Sequence, residues 1–232
     1  MKCGTSALHA LLDRHPDVAM APPKELNFFF GPDGVDSDAR TESWREGRWR
    51  LGPQWYAAQF DPAAPLRGES SPGYTDPSHP EVATRIRALA PDVRLVYLVR
   101  EPLERATSQW RHHRRDGTEP RALEEALLDD ASQYVERSRY LERIVPFLEL
   151  FGPDRVLVVV QERLRAHTDR EVRRVLEHVG ADPSRWSPVG ASPASCSASR
   201  PTRSLREEFR RRVADDLAGL RAVMGDDLAE WR

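Results

Sequence analysis

Lysine is almost absent from this chain. Of its 35 basic residues, 33 are arginine and two are lysine, Lys2 and Lys24. Where arginine is so favoured, a lysine marks a place that needs a compact ammonium. Cysteine is scarce too, with only Cys3 and Cys196. That excludes the disulfide framework of a small secreted domain. Free thiols in a cytoplasmic protein are the expectation, with a single long-range pair as the alternative. No CxxC pair or His/Cys cluster has metal-ligand spacing, and the adjacent His112 and His113 fall on different helix faces, so no metal is expected. No apolar run approaches the ~18 residues of a membrane span, and none after Lys2 has the form of a signal peptide. Net charge is −2, which removes the bulk basic field that would mark a nucleic-acid or membrane binder.

What the chain does have is a hydrophobic content of 39% over 232 residues, enough for one α/β domain with a real core. Abundant Arg, Ala and Pro point to a GC-rich bacterial genome. "VRLVYLVREP" and "DRVLVVVQERL" read as strands covered on both faces; "DVAMA" and "LRG" are shorter strand candidates. Helical spacing runs through "TSALHALLDRH", "PQWYAAQF", "PEVATRIRALAP" (Val82, Ile86 and Leu89 on one face), "LERATSQWRHHRRD", "RALEEALLDD", "SRYLERIVPFLELFG", "DREVRRVLEHVG" (closed by Gly180) and residues 204–224. Alternating strands and helices predict a single α/β domain over residues 1–232, with a central parallel β-sheet flanked by helices. Residues 31–54 read as a long loop or lid, and residues 181–203 as a Pro/Ser/Arg loop.

The opening "MKCGTSALHALLDRHPDV" sets Lys2, a glycine and two hydroxyls at the start of a helix. Free N–H groups and the positive dipole end attract phosphate there. Gly4 allows close approach, and Thr5 and Ser6 supply donors. From these residues alone, a phosphate cradle and a plain helix capped by Thr5 or Ser6 are equal alternatives. The GxxxxGK[ST] of a nucleoside triphosphatase is not present.

Taken with "KELNFF", "GESSPGY" and "LVREPLERATSQW", in that order, this opening resembles the PAPS-dependent sulfotransferases (PAPS being 3′-phosphoadenosine 5′-phosphosulfate). The branch containing the heparan sulfate sulfotransferases and many bacterial members is the most similar. The likeness covers residues 2 to about 115 well and continues more loosely to "GDDLAEW". It implies a P-loop-like architecture with PAPS as co-substrate and no metal. Lys2 would meet the bridging oxygen between phosphate and sulfonate. The run Lys2, Cys3, Gly4, Thr5, Ser6 and Ala7 would hold the 5′-phosphate. Arg100 and Ser108 would take the 3′-phosphate, and Arg200 in "SASRPTR" would lie in a loop closing over the nucleotide.

By the same resemblance, Glu25 is the catalytic base, with pairing to Lys24 or an arginine as the alternative role. Glu69 is a weaker rival, expected to organise its turn by accepting hydrogen bonds. Lys24, Asn27, Ser70 and Tyr74 fall on the acceptor side. Trp44, Trp49 and Trp55 either stack on an acceptor or fill core under the lid. Arg105 is expected on a solvated face, as is the run Arg210 to Arg212. Two departures from the family pattern stand out. The strand that enters the loop is missing, since Met1 stands where it should end, and Ser70 occupies a position where relatives carry lysine. The expected reaction moves a sulfonate from PAPS to a hydroxyl or amine of a glycan, lipid or small molecule. A P-loop kinase and a truncated or degenerate nucleotide-binding protein without turnover are the alternatives.

Overall fold

The computed structural model describes residues 2–33, 47–129, 132–188 and 201–231. Along the chain run α1 (Thr5–Leu12), β1 (Val18–Met20), α2 (Gly52–Ala57), β2 (Leu66–Gly68), α3 (Val82–Leu89), β3 (Leu95–Val99), α4 (Pro102–Arg115), α5 (Leu123–Leu128), α6 (Gln133–Glu136), α7 (Tyr140–Phe151), β4 (Val156–Val160), α8 (Gln161–Ala166), α9 (Thr168–Val179), α10 (Arg203–Arg212) and α11 (Ala214–Met224).

β1 and β2 pair in parallel, Val18 opposite Leu66 and Met20 opposite Gly68. β3 and β4 also pair in parallel, Leu95 opposite Val156 and Val99 opposite Val160. Parallel neighbours need long crossovers, which α2 supplies for the first pair and α4 to α7 for the second. The α/β architecture is the expected one, but the described strands form two pairs instead of one sheet. A cavity of about 470 Å³ is lined by Leu66 and Gly68 of β2 and by Val96 and Leu98 of β3. Leu95, Val96 and Tyr97 also line this cavity and are half-buried, and full burial within β3 begins at Leu98.

Helix ends follow local chemistry. α4 starts with Pro102 and is capped by the Glu101 carboxylate, which accepts from the Glu104 amide at 2.7 Å. Its last turn carries Arg114 and Arg115, charges that suit a helix C-terminus. α9 ends at Gly180, whose φ of 85° lets the Ala181 amide return to the Leu176 carbonyl at 2.9 Å. α3 buries Val82 and Ile86 in a cluster with Phe28, Phe29 and Phe30, each such side chain contributing ~1.5–3 kcal/mol. Leu89, expected on the same face, is 37% exposed because the helix ends on it.

Three expectations are corrected. The last helix is two, α10 and α11, broken at the buried Val213, which takes φ −116° and ψ 6°. Arg105 is not solvated but 1% exposed. Its guanidinium donates to Ser138 Oγ (2.9 Å), Gln109 Oε1 (2.6 Å) and the Tyr134 carbonyl (2.6 Å), which ties α4 to α6. Residues 49–54 are not loop: Trp49–Leu51 is a single helical turn leading into α2. Trp49 and Trp55 pack on Phe28, with ring centroids 5.3 and 6.0 Å away, and so fill core. Residues 34–46 of the expected lid, Trp44 included, lie outside the described residues, as do residues 189–200 with Cys196 and Arg200.

The basic run behaves as a surface face. Arg211 and Arg212 pair with Glu208, and Arg210 reaches the Trp231 carbonyl at 2.9 Å. The C-terminal segment is clamped by Arg163, which binds both Asp226 and Glu230. No helix among the described residues is long and apolar enough to cross a membrane.

Candidate active site

Gly4 is the N-cap of α1, with φ 90° and ψ 15°. Its carbonyl accepts from the amides of Ala7 (3.0 Å) and Leu8 (3.1 Å). No side chain caps the helix, so Thr5 and Ser6 are its first two residues and not the N-cap. The plain capped helix is therefore not what forms. First-turn amides have no partner within the helix, and they sit at its positive end. The left-handed turn needs glycine, and Gln161 closes over it: a Cβ on Gly4 would lie 3.2 Å from Gln161 Nε2. Ser6 and Ala7 are exposed, whereas Cys3 is 2% exposed and belongs to the core.

Lys2, Glu25 and Asn27 also adopt left-handed backbone, with φ of 63°, 67° and 50°. Among described non-glycine residues only Leu228 shares that conformation. Such strain costs ~1–3 kcal/mol per residue and gathers at sites the surrounding structure holds in place. Arg100, just past β3, donates to the Lys2 carbonyl at 3.4 Å and to Glu104 at 3.3 Å. The carboxyl end of β3 is thus joined to the opening loop. Ser108 lies half-buried two turns further along, in α4. Burial, then the charge of Arg115, pulls the Lys2 ammonium below its ordinary pKa, while Asp116 and Glu25 oppose this. Lys2 and Glu25 therefore lie within electrostatic reach of one another.

Glu25 is 40% exposed and its carboxylate accepts from Lys24 at 2.6 Å. Its amide donates to the Ser70 carbonyl at 3.1 Å. His9 Nδ1 lies 3.1 Å from Ser70 Oγ. Burial, followed by the charge of Lys24, pulls His9 below its ordinary pKa. Lys2, His9, Lys24, Glu25 and Ser70 are thus one neighbourhood alongside α1. His9 escapes a reading by motif. The signal for it is its spacing, four residues from Thr5 and so on the same helix face.

Glu69 lies behind this group. Its carboxylate accepts from Ser71 Oγ (2.6 Å), Tyr74 OH (2.7 Å) and Tyr56 OH (3.0 Å). Burial pushes the Glu69 carboxyl up, and the three hydroxyls oppose the shift. The same Ser71 and Tyr74 oxygens accept from the amides of Asn27 (3.0 Å) and Phe28 (3.0 Å). Asn27 is 2% exposed, and the Tyr74 hydroxyl is turned towards this network.

A glycine-capped helix start tied through Arg100 to the carboxyl end of a parallel strand, with Lys2 and Glu25 beside it, lies where open α/β folds take their ligands. The sequence profile of the Sulfotransferase family matches residues 1–187, and the chain belongs to that family. It is similar to the bifunctional heparan sulfate N-deacetylase/N-sulfotransferase 1 of Caenorhabditis elegans, 25% identical over 71% of this chain and 19% of that protein. It is also similar to the heparan sulfate glucosamine 3-O-sulfotransferase 3B1 of Mus musculus, 27% identical over 77% of this chain and 44% of the relative. The chain thus spans less than half the length of these relatives. A crystal structure of a sulfotransferase from Alicyclobacillus acidocaldarius superposes with a TM-score of 0.78 and 25% identity, covering 100% of this chain and 95% of the other.

Proposed function

We propose that this protein transfers a sulfonate group from PAPS to a hydroxyl or amine of a glycan, lipid or small-molecule acceptor, releasing 3′-phosphoadenosine 5′-phosphate (PAP). The observation that carries the reading is the gathering of Lys2, Lys24 and Glu25 around the left-handed Gly4 turn. A phosphate fits such a cradle because backbone amides and a helix N-terminus bind anions with no side chain in the way. In the transfer, the acceptor oxygen or nitrogen bonds to sulfur as the sulfur–oxygen bond to the phosphate breaks. The electron pair goes to the phosphate oxygen, where the Lys2 ammonium would stabilise the charge. The acceptor proton goes to the Glu25 carboxylate, the general base of this scheme. Arg100, with Ser108, is the proposed grip on the 3′-phosphate, through the planar fork that suits phosphate. Lys24 holds Glu25 until the acceptor arrives, and Ser70 with His9 flanks the acceptor side.

Calorimetric titration with PAP tests the reading. Saturable 1:1 binding without added metal, lost in Arg100→Ala, is the expected result. Binding of ATP with Mg²⁺ in preference to PAP would point to a kinase instead.

A further inference from the structure

We infer that Glu69 is a positioning residue for the proposed base, acting through the direction of two hydroxyl protons. A serine or tyrosine hydroxyl has one proton and separate lone pairs. Because the Glu69 carboxylate takes the protons of Ser71 and Tyr74, both oxygens are left to accept from the amides of Asn27 and Phe28. Those two amides lie two and three residues beyond the left-handed Glu25, whose own amide is held by the Ser70 carbonyl. One carboxylate thus orients the whole strip 25–28 from the far side of the turn 69–74. A third hydroxyl, Tyr56, joins Glu69 to α2. Without the anion each hydroxyl is free to turn its proton towards an amide N–H, and the two contacts become repulsive.

This inference rests on the sulfotransferase reading for its catalytic meaning but not for its test. Glu69→Gln keeps the shape of the side chain and one acceptor oxygen, but places an NH₂ donor where the other oxygen was, facing either Ser71 or the two tyrosines. Amide exchange by NMR, PAP affinity, and turnover followed as PAP released from PAPS are measured together. Exchange at Asn27 or at Phe28, on whichever side the NH₂ faces, is expected to rise about tenfold or more, the loss of a hydrogen bond, while Leu8 in α1 and PAP affinity stay unchanged. Turnover is expected to fall about tenfold with the KM for PAPS within about twofold, the split that marks lost transition-state geometry. Tyr74→Phe should release Phe28 but not Asn27, and Tyr56→Phe should release neither. Unchanged exchange at Asn27 and Phe28 in Glu69→Gln overturns the inference. So does a rise spread equally over α1 together with loss of PAP binding, which would make Glu69 a general stabiliser. If the unaltered protein fails to bind PAP, the sulfotransferase reading falls, and the exchange data still decide the role of Glu69.

Discussion

Replacing Gly4 by alanine tests the cradle at its narrowest point. Two costs can be worked out from the structure. An L-residue held in the left-handed region costs roughly 1–2 kcal/mol, and Gly4 sits there with φ 90°. The added methyl also meets Gln161, with Nε2 at 3.2 Å and Cγ at 3.3 Å, a contact the flexible glutamine relieves by swinging away. In a domain of this size each 1 kcal/mol lowers the melting temperature by ~2–4 °C, so Gly4→Ala should melt ~2–8 °C below the unaltered protein. Repeating the substitution in a Gln161→Ala background separates the two costs: the contact vanishes there and the backbone strain remains. The functional loss should exceed the stability loss in consequence. If the turn relaxes, the first-turn amides re-aim, and each charge-assisted hydrogen bond to a phosphate is worth ~1.5–3 kcal/mol. PAP affinity by calorimetry should then fall about 10- to 100-fold. Melting within 1–2 °C of the unaltered protein, with unchanged PAP affinity, would refute the argument, because the backbone would then not be what binds.

Glu25→Gln should nearly abolish turnover yet leave PAP affinity intact; parallel loss of both would make Glu25 an anchor of the loop through Lys24. Lys2→Met should depress turnover more than PAP affinity, since its ammonium is proposed to act on charge that develops at the leaving oxygen; equal losses in both would assign Lys2 to binding alone. Arg163→Met probes acid stability. The Arg163 guanidinium holds the Asp226 carboxyl down at about 2 and pulls Glu230 below the ordinary carboxylate range. Lowered folded-state values give stability that is complete above the unfolded value of ~3.9 and is lost as pH falls through about 2. The variant should therefore melt lower than the unaltered protein near neutral pH, and the two melting curves should converge in acid; parallel curves down to pH ~2 would show that the pair does not couple to folding.

The elements legible in the sequence are those set by short-range chemistry. β3 is a continuous apolar run stopped by Glu101 and Pro102, α9 is a one-faced helix ended by Gly180, and the break after α1 follows from Pro16. What was not legible depends on partners distant in sequence. Arg105 sits in an arginine-rich helix that reads as solvated, and it is buried because three neutral acceptors, two of them 29 and 33 residues away, close on its guanidinium. Trp49 and Trp55 look the same whether they meet a ligand or Phe28, and only the fold of the 28–30 strip decides it. The separation into two strand pairs is a matter of which edges meet, which no local pattern carries.

The candidate site was picked out by ordered blocks of residues resembling a family, and composition points to the same stretch. In a chain that uses arginine 33 times, the two lysines both lie near Glu25. One is 2.6 Å from Glu25, and the other is close enough for Glu25 to shift its titration. A planar fork prefers two acceptor oxygens at once, and a carboxylate so gripped is a poor proton acceptor. A single ammonium donates to one oxygen, Glu25 Oε1, which in the proposed reaction would leave the second for the acceptor. The scarcity of lysine, the strained backbone at Lys2, Glu25 and Asn27, and the scaffold behind Glu69 are therefore three views of one arrangement. A carboxylate is held in place without being used up.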